Sequence, residues 1–112
     1  MIKVAISRNQ HNKIISFEMS GHADSAPHGQ DIVCAGASAV SFGTVNAIDT
    51  LCNVRLEVEI DNDNGFLRCI VPNDLDVQTI EKVQLLLEAM VVSLTSISEQ
   101  YGKYIKIKET RR

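Results

Sequence analysis

Apolar and polar residues alternate in two runs near the start of the chain: Ile2, Val4 and Ile6, then Ile15, Phe17 and Met19. A period of two marks a half-buried strand. The polar stretch "SRNQHNK" between the runs predicts a hairpin turn. Ser20 to Gln30 is polar and predicts a loop, with Gly21 and Gly29 as hinges. From Ile32 to about Leu51 the period lengthens to that of a helix, with Val33, Ala37, Val40, Thr44, Ala47, Ile48 and Leu51 recurring. Alternation returns at Val54, Leu56, Val58 and Ile60, and the turn "DNDNG" feeds "FLRCIVP", a second hairpin. Asn73 or Asp74 is the expected cap of the next helix. Val77, Ile80, Val83, Leu87, Met90, Val91, Leu94 and Ile97 then recur at helical spacing, giving a stripe that would cover a sheet. Gly102 ends that helix, and "YIKIK" closes the chain with Ile105 and Ile107 inward. The order is ββαββαβ. It predicts one α+β domain over residues 1–112, a mostly antiparallel sheet packed with two helices.

Composition narrows the class. The chain has 112 residues, 45% of them hydrophobic and 22% charged, as in an ordinary globular domain. A core of this size is modest, so burial against a second copy would add stability. The net charge of -3 argues against gripping nucleic acid by bulk electrostatics, which needs clustered Lys and Arg. Lys103, Lys106, Lys108, Arg111 and Arg112 form only a local patch, read as a solvated strand edge and tail. No continuous apolar run approaches the ~20 residues of a membrane span, and the first residues alternate rather than forming a signal sequence. A cytoplasmic location is expected. Three cysteines, an odd number without tight spacing, predict free thiols rather than a disulfide framework.

Reactive chemistry gathers in "GHADSAPHGQDIVCAGASAVSFG", Gly21 to Gly43. Asp31 reads as a helix N-cap, which would set Cys34 in the first helical turn. Unsatisfied backbone N–H groups there would favour thiolate over thiol. His22 and His28 are the two imidazoles that would take the proton; His11 lies at a hairpin tip. Asp31 opposes this if it faces the sulfur and helps if it caps the helix or orients the ring. Ser38 lies one turn beyond Cys34 on the same face, placed to hydrogen-bond a substrate or its own helix, and Ser41 nearly a turn further. Cys52 and Cys69 read as small buried hydrophobes. A metal bound by His22, His28, Cys34 and a carboxylate is the rival, but the short ligand spacing of structural zinc sites is missing. No metal or other cofactor is expected.

Gly21-His22-Ala23, then Gly29, then Asp31-Ile32-Val33-Cys34-Ala35, then Ser38 resemble the ribosomal-processing cysteine protease Prp family. The resemblance extends over essentially the whole chain in length and element order. It implies that Cys34 is the nucleophile and His22 its base, with Gly21, Gly29, Asp31 and Ser38 in supporting or substrate-binding places. It also implies a homodimer. The implied substrate is a ribosomal protein precursor, the N-terminal extension of large-subunit ribosomal protein twenty-seven, cut just after an aromatic residue. The other reading open to the sequence is a non-catalytic module that binds a ribosomal protein during assembly, with His22 and Cys34 structural.

Overall fold

The structure, a computed structural model, describes residues 1–21, 28–63 and 65–112. Its elements are β1 (Ile2–Arg8), β2 (Ile14–Ser20), α1 (His28–Cys52), β3 (Glu57–Asp61), β4 (Phe66–Ile70), α2 (Val77–Tyr101) and β5 (Ile105–Arg111). The order ββαββαβ is the expected one. The strands form one mixed sheet in the order β3-β4-β2-β1-β5. The β1–β2, β2–β4 and β3–β4 pairs are antiparallel, and β5 runs parallel to β1. That parallel pair needs a long crossover, and α2 supplies it.

One face of the sheet packs under the helices. Ile2, Val4, Ile6, Phe17, Leu67, Cys69 and Ile105 point into the core with Val33, Ala37 and Ile48 of α1 and Val83, Leu87, Met90 and Leu94 of α2. The other face is mostly polar, with Phe66 and Ile70 as apolar residues of β4 on it. One row across it reads Glu59, Arg68, Glu18, Ala5, Lys108 in register. The first hairpin departs from the simple alternation: its register shifts between Ser7 and Arg8, so Arg8 pairs with Ile14 while Ser7 pairs with Ser16. The extra residue flips the phase of the strand. Ile14 rather than Ile15 is therefore the buried one, at 1% exposure.

The far end of this hairpin is tied down by polar groups. Gln84 of α2 donates to the Ile14 carbonyl and accepts from the Ile14 amide, both at 2.8 Å, standing in for a missing strand neighbour. Arg8, a mostly buried cation, donates to both carboxylate oxygens of Glu88 at 2.6 and 2.9 Å and to Glu109 at 2.8 Å. A buried guanidinium is tolerated only with such partners. They hold Arg8 more firmly protonated than usual, and Arg8 holds the Glu88 carboxyl below its ordinary range.

The helix boundaries correct four expectations. The α1 helix starts at His28, not Ile32. Asp31 is thus inside the helix and not its N-cap, and Gly29 is helical rather than a hinge. The cap of α2 is Asp76, whose carboxylate accepts from the Thr79 amide at 2.8 Å, not Asn73 or Asp74. Helix α1 leaves through Asn53 at φ 55°, with the Val54 amide donating back to Ile48 and that of Asn53 to Asp49, a left-handed exit that suits Asn. Finally, Ile32–Cys52 is long and apolar enough to cross a bilayer by length and composition, although its apolar residues are interrupted by polar ones and form no continuous run. Here that helix packs on α2 and the sheet through Val33, Ala37 and Ile48.

Candidate active site

Helix α1 carries Cys34, Ser38 and Phe42 at a spacing of four, so they stand one above another on a single face. All three line a pocket of about 150 Å³. The first hairpin supplies its inner wall through Ile2, Met19 and Gly21. The β3–β4 hairpin continues the lining, with Ile60, Asn62, Phe66 and Leu67, the last being the cross-strand partner of Met19. Cys34 is half-buried there, a free thiol beside apolar side chains. Ser38 is also half-buried, and its hydroxyl has no hydrogen-bond partner among the described residues.

Gly21 has φ 96°, a conformation open to glycine at little cost. A Cβ there would overlap the Met1 carbonyl oxygen and stand 3.2 Å from its carbon. The chain thus leaves β2 at the pocket wall, pinned beneath the N-terminus. His22 follows directly in sequence and lies outside the described residues. His28 is the first residue of α1.

Other candidates separate clearly. Ser41 is buried and does not line the pocket; its hydroxyl donates to the sulfur of Met19, a wall residue, at 3.8 Å. Cys69 is buried in the sheet, where desolvation pushes its thiol up to about 11; it stays protonated and unreactive. His11 sits at the tip of the first hairpin, the end opposite the pocket. Among the described residues no three of His, Cys, Asp and Glu gather closely enough to hold a metal.

The thiol's helical setting also differs from expectation. Cys34 is the seventh residue of α1. The unsatisfied amides of a helix belong to its first turn, so they are spent before this position. The first-turn setting expected for the sulfur is therefore not the one the helix provides. The sequence did not point to Phe42, Ile60, Asn62, Phe66 or Leu67 as site residues. Phe42 was within reach of the same spacing rule that placed Ser38. The β3–β4 residues join the site only because β4 lies next to β2 in the sheet.

The chain matches the cysteine protease Prp family over residues 1–106. It is 43% identical over 107 residues to the ribosomal processing cysteine protease Prp of Bacillus subtilis, covering 96% of each chain. Two crystal structures of the essential ribosomal processing protease Prp from S. aureus share its fold. The one in complex with a substrate peptide has a TM-score of 0.88 at 38% identity, covering 98% of this chain and 100% of that one. The other, with a covalently linked product peptide, has a TM-score of 0.85 at 39% identity and the same coverage.

Proposed function

The chain belongs to the cysteine protease Prp family and is a ribosomal-processing cysteine protease, and on that premise we propose that Cys34 is its nucleophile and His22 the partnering base. The observation that carries this is Cys34 itself: a half-buried free thiol in the wall of an apolar pocket that Gly21, the residue before His22, also lines. The substrate is the N-terminal extension of large-subunit ribosomal protein twenty-seven, cut just after an aromatic residue. A cavity of about 150 Å³ is the size that holds one benzene ring, and Met19, Phe42, Ile60 and Phe66 give this one apolar walls. The covalently linked product peptide in the S. aureus relative fits acyl transfer.

In this mechanism the imidazole of His22 takes the Cys34 proton, and the thiolate attacks the scissile carbonyl. The tetrahedral intermediate collapses as the imidazolium gives its proton to the leaving amine. The acyl group remains on sulfur as a thioester. Water, deprotonated by the same imidazole, then releases it and restores the thiol. Ser38, unpartnered one turn along the pocket wall, hydrogen-bonds the bound peptide. The protease works in the cytoplasm as a homodimer, without metal or cofactor.

The test is incubation with the precursor of ribosomal protein twenty-seven, read by mass spectrometry. Loss of the N-terminal extension with wild type and none with Cys34→Ala is expected. Turnover by Cys34→Ala would remove the nucleophile assignment, and an intact precursor after wild-type treatment would remove the substrate.

A further inference from the structure

Strand β3 closes one side of the sheet, and no strand among the described residues pairs with its outer edge. An open edge offers alternate backbone N–H and C=O groups to an extended chain. All of β3 is exposed. Its two faces differ in chemistry. Val58 and Ile60, 37% and 51% exposed, lie on the face of their partners Cys69 and Leu67, which point into the core. Glu57 and Glu59 lie on the opposite face. Behind Glu59 stands Arg68, which is engaged with Glu18 on the next strand at 3.4 Å. The edge also leads into the active site: Ile60, and Asn62 just past the strand's end, line the pocket that holds Cys34.

We propose that the free edge of β3 is a substrate-docking strand: the polypeptide to be cut adds to it as an extended chain and continues past Ile60 to Cys34. This rests on the protease reading above and adds the form of substrate it accepts. Side chains on an added strand sit beside those of its neighbour on the same face. The docked segment therefore alternates. Its apolar residues lie beside Val58 and Ile60, on the pocket side, and its cationic residues beside Glu57 and Glu59. The main chain supplies affinity, and the two faces supply register, because a slip of one residue would set cations on the apolar face and apolar groups on the carboxylates.

The experiment measures fluorescence anisotropy of a short labelled peptide of alternating Leu and Lys on the Cys34→Ala protein, so that docking is read without cutting. The peptide should bind, and Glu57→Lys with Glu59→Lys should weaken it about tenfold at low salt. That difference should shrink in high salt. An alternating Leu and Glu peptide should reverse the ranking. N-methylation of one alternate set of peptide amides should abolish binding, and of the other set should not. The milder Glu59→Gln should move affinity in the same direction by less. Affinity unchanged within about twofold on charge reversal, no reversal with the acidic peptide, or indifference to both methylation sets would overturn the proposal. A protease that still cut its precursor would then lose only this docking assignment, whereas failure of Cys34 as nucleophile would leave the anisotropy result standing.

Discussion

Gly21→Ala tests whether the chain must enter the active site in the way described. Two costs can be worked from the structure. The first is conformational: φ is 96°, and a residue with a Cβ pays about 1–2 kcal/mol on the left-handed side. The second is steric, because the new methyl would overlap the Met1 carbonyl oxygen. Met1 is 46% exposed and can move, but Ile2 cannot move freely: it is buried, and its amide donates to the Tyr104 carbonyl at 2.8 Å. Shifting Met1 strains that bond, which is worth about 1 kcal/mol. The sum is about 2–3 kcal/mol, or a Tm lower by about 10 °C or more for a domain of this size. Calorimetry reads the stability, and cleavage of the ribosomal precursor at a temperature well below the variant's Tm reads the site. Activity should fall further than the folded fraction does, since Gly21 lines the pocket and precedes His22. Gly43→Ala is the control. A Cβ there meets nothing within 4 Å, and removing a mid-helix glycine should stabilise by about 0.5–1 kcal/mol. If Gly21→Ala melts within about 2 °C of wild type and cuts normally, the reasoning from φ and the Met1 contact is wrong.

Gln84→Leu leaves the buried amide and carbonyl of Ile14 without partners and should cost about 2–5 kcal/mol in chemical denaturation; a loss under about 1 kcal/mol would show that the strand end satisfies itself. Because Arg8 lowers the folded-state pKa of Glu88, this pair stabilises above the unfolded Glu value of about 4.3 and is lost as pH falls through the folded value. Glu88→Gln should therefore be less stable than wild type at neutral pH and flatten the acid limb of a stability–pH curve, with an unchanged limb counting against the pair. Iodoacetamide should label Cys34 in the native protein and Cys69 only after unfolding, since Cys69 is buried with its thiol pushed up to about 11; peptide mapping would expose native labelling of Cys69 as a contradiction.

The element order was legible because hydrophobic periods of two and near 3.6 survive in nearly every segment of this chain. Phase and ends were less so. Ile15 looked inward because strict alternation was assumed, and a single extra residue at the Ser7–Arg8 shift turned Ile14 inward instead. Asp76 was missed as a cap because Asn73, Asp74 and Asp76 are all competent to cap, and only the backbone conformation separates them. The start of α1 was set too late because His28, Gly29 and Gln30 carry no apolar periodicity, although nothing in them forbids a helix. Cys34 and Ser38 were readable as one face of that helix. The β3–β4 side of the pocket was not, since Ile60 and Phe66 join the lining that holds Cys34 only through the pairing of β4 with β2, a long-range choice that no local pattern encodes.

The start of α1 decides where the thiol sits on its helix. With α1 beginning at His28, Cys34 receives a fixed place from its helix, past the first turn whose amides are unsatisfied. Met19, Phe42 and Phe66 line the same pocket and are apolar, and Ser38 and Asn62 are polar members of its lining. In the proposed mechanism proton removal falls on the imidazole, and the position of Gly21, pinned under Met1 at the pocket wall, fixes where the chain that carries His22 sets out. On this account the N-terminal strand belongs to the active site as much as α1 does. Substitutions that loosen Met1 and Ile2 should then act on proton transfer before they act on substrate affinity.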